Sequence, residues 1–310
     1  MADVMDAGPG ITIIDTMLGG HTGMTAAYLM DGDGPTLVET GSQTSADVVI
    51  RALRDLGIGP GDLRQIVLTH IHLDHCGGVG DVAAAFPSAT VVVHRRGAKH
   101  LAEPARLLES SFAVYGDLAP LYGGLTPVPK ERIVAVQEGD RIDLGGGRFF
   151  DVIDAPGHAR HQMALLDTDH GRIFTGDALG VRFPGSEIYP TVPPPDFDID
   201  MALTTLTRIA ERKATKLLLP HFGVIDDPAS AIEVAGERQR ILSEAALEGW
   251  QEDGEAGVAA AVDRRLPMEA VITDEPGRAR WRAVLWAENN PPGLVEWLKL
   301  RQAKSDEHTG

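Results

Sequence analysis

The sequence predicts an α/β fold followed by a helical extension, and three observations carry that reading. Extended runs joined by a glycine-rich turn fill Ile11 to Thr40. After residue 45, short β-branched runs alternate with helical ones, the pattern of a sheet covered by helices. Beyond Asp226 the chain becomes rich in Ala, Glu, Arg and Leu with helical spacing.

In order, the extended runs are Ile11 to Met17, Thr25 to Met30 and Thr36 to Thr40, with Asp31-Gly32-Asp33-Gly34 turning the last two into an antiparallel pair. Ser45 to Leu56 reads as a helix: Val48, Val49, Ala52, Leu53 and Leu56 share a face, and Gly57 stops it. Ile66 to Thr69 is a buried strand, Val79 to Phe86 a helix and Thr90 to Val93 a strand. Gly97 to Tyr122 is irregularly helical, and Gly145-Gly146-Gly147 turns a hairpin between Arg141 to Leu144 and Arg148 to Ile153. Strands follow at Met163 to Leu166, Arg172 to Thr175 and Lys216 to Leu219. Phe183 to Phe197, with three consecutive prolines, reads as a surface loop, and Asp198 or Asp200 caps a helix over Met201 to Arg212. Helices are expected at Ser230 to Trp250, Val258 to Arg264 and Gly277 to Lys304, so the domains are 1–225 and a helical extension 226–310.

Of 310 residues, 43% are hydrophobic and 24% charged, which suits a globular chain. Lys and Arg number 28 against 45 Asp and Glu, a net charge of −17 that repels nucleic-acid phosphates. No apolar run reaches the roughly 20 residues of a membrane span, and the first residues lack a basic start and an apolar stretch, so a cytoplasmic location is expected. A single cysteine, Cys76, excludes an internal disulfide and a Cys-rich zinc finger.

The densest chemistry is His70-Ile71-His72-Leu73-Asp74-His75, four potential metal ligands in six residues directly after a strand. A polar surface loop is the bland alternative, but Ile71 and Leu73 interleave the donors and a buried strand leads into them. His158, Asp177 and His221 each follow a predicted strand as well, and Glu39 closes another. Alone, each is an ordinary turn residue. Strand carboxyl ends open onto one edge of such a sheet, where remote segments converge, and together with the cluster they complete a two-metal donor set.

The motifs Thr69-His70-Ile71-His72-Leu73-Asp74-His75, Pro156-Gly157-His158, Phe174-Thr175-Gly176-Asp177 and Pro220-His221 stand in the order seen in the metallo-β-lactamase superfamily, which the chain resembles from about Ile11 to Gly223. The resemblance implies an αββα sandwich of two mixed β-sheets flanked by helices. It also implies His70, His72 and His158 on one metal, Asp74, His75 and His221 on a second, and Asp177 bridging both. Where the family's first motif usually ends in aspartate, this chain reads Leu37-Val38-Glu39-Thr40-Gly41, so Glu39 is expected to orient the ligand loop by hydrogen bonding or to be a plain strand-end residue. The branch of the family most like this chain has no substrate that the motifs name.

Two ions, zinc by default with iron or manganese also compatible, would share an activated hydroxide that cleaves an ester, thioester or lactone bond of a small molecule. Asp74 would aim that hydroxide at the carbonyl while serving as a ligand. A mononuclear iron enzyme resembling persulfide dioxygenases is the alternative, since they share Thr175-Gly176-Asp177-Ala178-Leu179. A β-lactamase fits Asp177 less well, a quorum-quenching lactonase would carry a tyrosine shortly after the bridging aspartate where this chain reads Asp177-Ala178-Leu179-Gly180, and a binding protein that merely keeps the fold would not need a complete ligand set. Cys76 reads as a small buried residue rather than a nucleophile, and His161 as a neighbour of the site or a surface histidine. Apolar residues around Trp281, Leu285, Trp286, Val295, Trp297 and Leu298 cover the core or build a homodimer contact.

Overall fold

The computed structural model describes residues 3–272, 275–284 and 290–309. Leu285 and Trp286 of the apolar C-terminal group lie outside them. Chain contacts divide the structure into two compact units. One comprises 1–154, 161–176 and 213–228, the other 155–160, 177–212 and 229–310.

The first unit contains both sheets. Its seven-stranded sheet runs β1 (Val4–Asp6), β2 (Ile11–Asp15), β3 (Ala26–Met30), β4 (Thr36–Val38), β5 (Gln65–Val67), β6 (Thr90–His94) and β7 (Ile133–Val136), in spatial order of sequence. β1 to β4 pair antiparallel and β4 to β7 parallel. The switch falls where helices begin to intervene, because a parallel pair needs a crossover. α1 (Ala46–Asp55) links β4 to β5, α2 (Leu73–Cys76) and α3 (Val79–Ala85) link β5 to β6, and α4 (Ala98–Ala102), α5 (Ala105–Tyr115) and α6 (Ala119–Tyr122) link β6 to β7. β4 and β5 are wholly buried, as strands covered on both faces must be.

The second sheet has six strands in the order β13-β12-β11-β10-β9-β8: β8 (Arg141–Gly145), β9 (Arg148–Asp154), β10 (Met163–Asp167), β11 (Arg172–Phe174), β12 (Lys216–Leu219) and β13 (Gly223–Ile225). Only β11 and β12 pair parallel. The sheets pack face to face through a shared apolar core: Ile13, Tyr28, Val38, Val67 and Val92 meet Phe150, Val152, Met163, Phe174 and Leu218. Tyr28 sets its ring edge-on to Phe174 at 5.3 Å and donates its hydroxyl to Leu219 O at 2.6 Å, so its polar tip is satisfied inside the core.

The second unit is helical. α7 (Ile199–Glu211) is capped by Asp198, whose carboxylate accepts the Met201 N–H at 3.1 Å. α8 (Pro228–Arg265) breaks at Asp253 and Gly254, and a Cβ on Gly249 would lie 2.5 Å from Gly257 O, so backbones approach closely there. α9 (Glu275–Val284) and α10 (Asn290–Thr309) complete the unit. The 183–197 segment is not the surface loop its composition suggests: Phe183, Ile188, Tyr189, Val192 and Phe197 are buried. Phe183 and Tyr189 pack edge-on to Trp281 at 5.0 and 5.3 Å, and the Asn290 side chain accepts from Val192 N and donates to Pro190 O, each at 2.8 Å. Trp297 and Leu298 are buried too. Among the described residues no helix is long and apolar enough to cross a membrane.

Candidate metal centre

Five of the seven predicted donors, His70, His72, Asp74, His75 and His221, belong to the first unit. The segment after β5 stays tied to strand neighbours, Leu68 N to Val92 O at 2.9 Å and Met163 N to Thr69 O at 2.9 Å, until it turns into α2. His72 caps that helix in extended conformation, which places Asp74 and His75 on one short turn. Thr40 holds the turn from outside, donating N–H and hydroxyl to His75 O, both at 2.9 Å. Gly77 is required beneath it, since a Cβ there would meet Leu73 O at 2.4 Å and Gln43 N at 2.7 Å, and neither backbone atom can move aside.

His221 arrives from the other sheet, after β12. Ala26 N donates to Pro220 O and His221 Nδ1 to Met24 O, each at 2.8 Å. A carbonyl can only accept, so Nδ1 carries a proton and Nε2 is the nitrogen turned toward the other donors. That Nε2 lies 3.1 Å from Asp74 Oδ2 and 3.2 Å from His75 Nε2, and His75 Nε2 is 3.4 Å from the same carboxylate oxygen. Donors on a tetrahedral zinc at about 2.0–2.1 Å are separated by about 3.3 Å. Asp74, His75 and His221 are buried, and the chemistry and spacing of this donor set fit a divalent ion.

Burial by itself would raise the Asp74 carboxyl, but His75 and His221 outweigh it through charge and hydrogen bonding and hold Asp74 well below the usual carboxylate range. The His70 ring stands 4.0 Å from His75 and 4.7 Å from His72. His161, left open by the sequence, lies beside them: its ring is 5.4 Å from His72, and its Nδ1 accepts the Ile71 N–H at 3.4 Å. Glu39 hydrogen-bonds the segment that carries these histidines. Its Oε1 accepts the Thr69 N–H at 3.0 Å and its Oε2 lies 3.8 Å from His75 Nδ1. Cys76 is buried, and burial pushes its thiol well above its ordinary range, which removes it as a nucleophile. Tyr115, unmarked by any motif, takes a hydrogen bond from the Leu73 backbone at the start of α2 and stacks on Tyr122 at 4.1 Å.

The other two predicted donors, His158 and Asp177, belong to the second unit and meet each other there: His158 Nε2 is 3.5 Å from Asp177 Oδ2, both residues buried. Thr191 meets His158 Nδ1 with its carbonyl oxygen at 3.3 Å and its hydroxyl at 3.1 Å, which leaves Nε2 facing the carboxylate. Gly157 lets this turn lie against α7: its φ is +137°, and a Cβ would come within 2.3 Å of Ala202 Cα. Thr191 and the Met24 carbonyl were not readable from sequence, because supports reached through backbone oxygen leave no residue-type signature.

The family model for the metallo-beta-lactamase superfamily matches residues 21–221. The metallo-beta-lactamase fold-containing protein ST1585 of Sulfurisphaera tokodaii is 37% identical over 167 residues, 53% of this chain and 62% of that protein. Its crystal structure superposes with a TM-score of 0.65 at 28% identity, covering 83% of this chain and 99% of that one. A metallo-beta-lactamase family protein from Thermus thermophilus, TTHA1429, shares the fold with a TM-score of 0.62 at 21% identity, over 98% of this chain and 94% of its own. The hydroxyacylglutathione hydrolase of Hahella chejuensis is 30% identical over 129 residues, 41% of this chain and 38% of that protein. The chain spans about six tenths of the length of the first curated relatives it matches. With the four motifs in family order, the two mixed sheets and the buried histidine and aspartate donors, the chain belongs to the metallo-beta-lactamase superfamily.

Proposed function

We propose that the chain is a metal-dependent hydrolase that cleaves an ester, thioester or lactone bond of a small molecule. The observation that carries this is the buried convergence of Asp74, His75 and His221 at 3.1–3.4 Å. In this reading His70, His72 and His158 would hold one ion and Asp74, His75 and His221 another, with the Asp177 carboxylate serving both. Zinc is the default and iron or manganese suit the same donors. Such ions, when bound, bring the pKa of coordinated water toward neutrality and polarise a carbonyl oxygen.

The chain's own groups do the rest. Asp74, held ionised, accepts a hydrogen bond from the attacking water and aims its lone pair at the substrate carbonyl. Glu39 and the Met24 carbonyl keep the rings of His75 and His221 turned inward. The similarity to hydroxyacylglutathione hydrolases supports a thioester as the first substrate class to try, an acylglutathione being one.

The test is elemental analysis of purified protein, paired with turnover of a panel of thioesters, lactones, phosphoesters and nitrocefin. About two metal ions per chain and hydrolysis of a thioester or lactone are expected, lost in His72→Ala with the fold retained. One iron per chain with oxygen uptake on glutathione persulfide would replace this reading with a dioxygenase, and full activity of His72→Ala would reject it.

A further inference from the structure

Asp15, the last residue of β2, is buried, and no motif marks it. Its carboxylate closes the loop that follows: Oδ1 accepts the Met17 N–H at 3.0 Å and Oδ2 the Gly23 N–H at 2.7 Å. Met17 takes a left-handed φ of 58° inside that loop, a conformation that costs a non-glycine residue free energy and persists only where its surroundings hold it. Beyond the clasp, Thr16 N bonds Thr25 O at 3.0 Å, so the chain leaves the loop in register. The carbonyl between the two closures is Met24 O, the acceptor of His221 Nδ1 at 2.8 Å.

We infer that Asp15 is a positioning residue for His221: by clamping Met17 and Gly23 it sets the Met24 carbonyl against Nδ1 and so turns Nε2, the nitrogen a metal would take, toward Asp74 and His75. Two acceptor oxygens are needed, because two backbone donors converge on the group from opposite ends of the loop. An asparagine offers one oxygen and one NH2, so one of the two amides would face another donor and the clasp would open. The consequence for metal binding rests on the proposed centre. The hydrogen bond that turns the ring does not.

The experiment is Asp15→Asn, read by long-range 1H–15N correlation and solvent exchange of the His221 ring in metal-free protein and by zinc titration against a chromophoric chelator. In the unsubstituted protein His221 Nδ1 carries a proton that Met24 O protects from exchange. In the variant that proton exchanges freely, and affinity for one of two zinc ions falls by about 10- to 100-fold while the other is unchanged. A general loosening of the fold would weaken both ions together. The inference is overturned if the variant keeps the protected Nδ1 proton and both affinities, or if both ions weaken equally. Should the variant not fold, the unsubstituted protein still decides, because a His221 Nδ1 without a proton there contradicts the inference. Failure of the unsubstituted protein to bind zinc would sink the metal centre and leave the Nδ1 result standing.

Discussion

The Nε2 atoms of His75 and His221 lie 3.2 Å apart although 146 residues separate them in the chain. Two ring nitrogens so close need a proton or a cation between them. His221→Ala is therefore expected to lower zinc affinity by more than the roughly 10- to 100-fold typical of losing an outer support. Far-UV circular dichroism should remain that of the parent. Chelator competition measures the loss, and an affinity equal to the parent's would reject the centre.

Glu39 serves two partners, and its substitutions separate them. Glu39→Ala strands the buried Thr69 amide and is expected to cost about 1–3 kcal/mol in urea unfolding. Glu39→Gln keeps an acceptor for that amide but removes the charge facing His75, so stability falls less while zinc affinity drops about 10-fold. Equal stabilities for the alanine and glutamine variants would refute this division of roles.

Cys76 gives a pH test. Burial, followed by the nearby charges of Glu39 and Asp74, raises its thiol well above the ordinary 9.0. A group raised on folding contributes its full stability below the unfolded value and loses it as pH climbs toward the folded one. Unfolding free energy should therefore decline above pH 9, and less so in Cys76→Ala. At about pH 8 a thiol reagent should label the protein only in denaturant, because attack requires the thiolate. Rapid labelling of the native chain at that pH would contradict the assignment.

Gly157→Ala probes the turn before His158. The added carbon would sit 2.3 Å from Ala202 Cα and 2.5 Å from Ala202 N, at a φ of +137° that side chains avoid. Backbone on both sides must shift, and a loss of about 3 kcal/mol is expected, the upper range of overpacking. A urea midpoint within error of the parent's would show that α7 yields instead.

Most strands were legible because their side chains alternate or are wholly apolar: Ile11 to Met17, Thr90 to Val93 and Lys216 to Leu219 correspond to β2, β6 and β12. β1, β7 and β13 were not, since runs of three or four residues carry little periodicity and are extended by their neighbours' pairing. The 183–197 segment misled for a related reason. Its three prolines are those of a solvent loop, whereas Trp281 and Asn290, about a hundred residues on, bury it. Within the candidate site the cluster from His70 to His75 was legible from spacing, His158, Asp177 and His221 from their places after strands together with the family resemblance, and Glu39 from its place at a strand end. The clasp of Asp15 and the hydroxyl of Tyr115 were not, because their partners are backbone groups that any residue supplies.

Asn290 bonds Pro190 and Val192 as a neighbouring strand would, and the residue it brackets, Thr191, is the one that grips His158. A helix near the far end of the sequence, contributing no donor, therefore has leverage over one. Trimming the tail before Asn290 would unseat that histidine, and substitutions at the start of α10 offer a remote way to retune it.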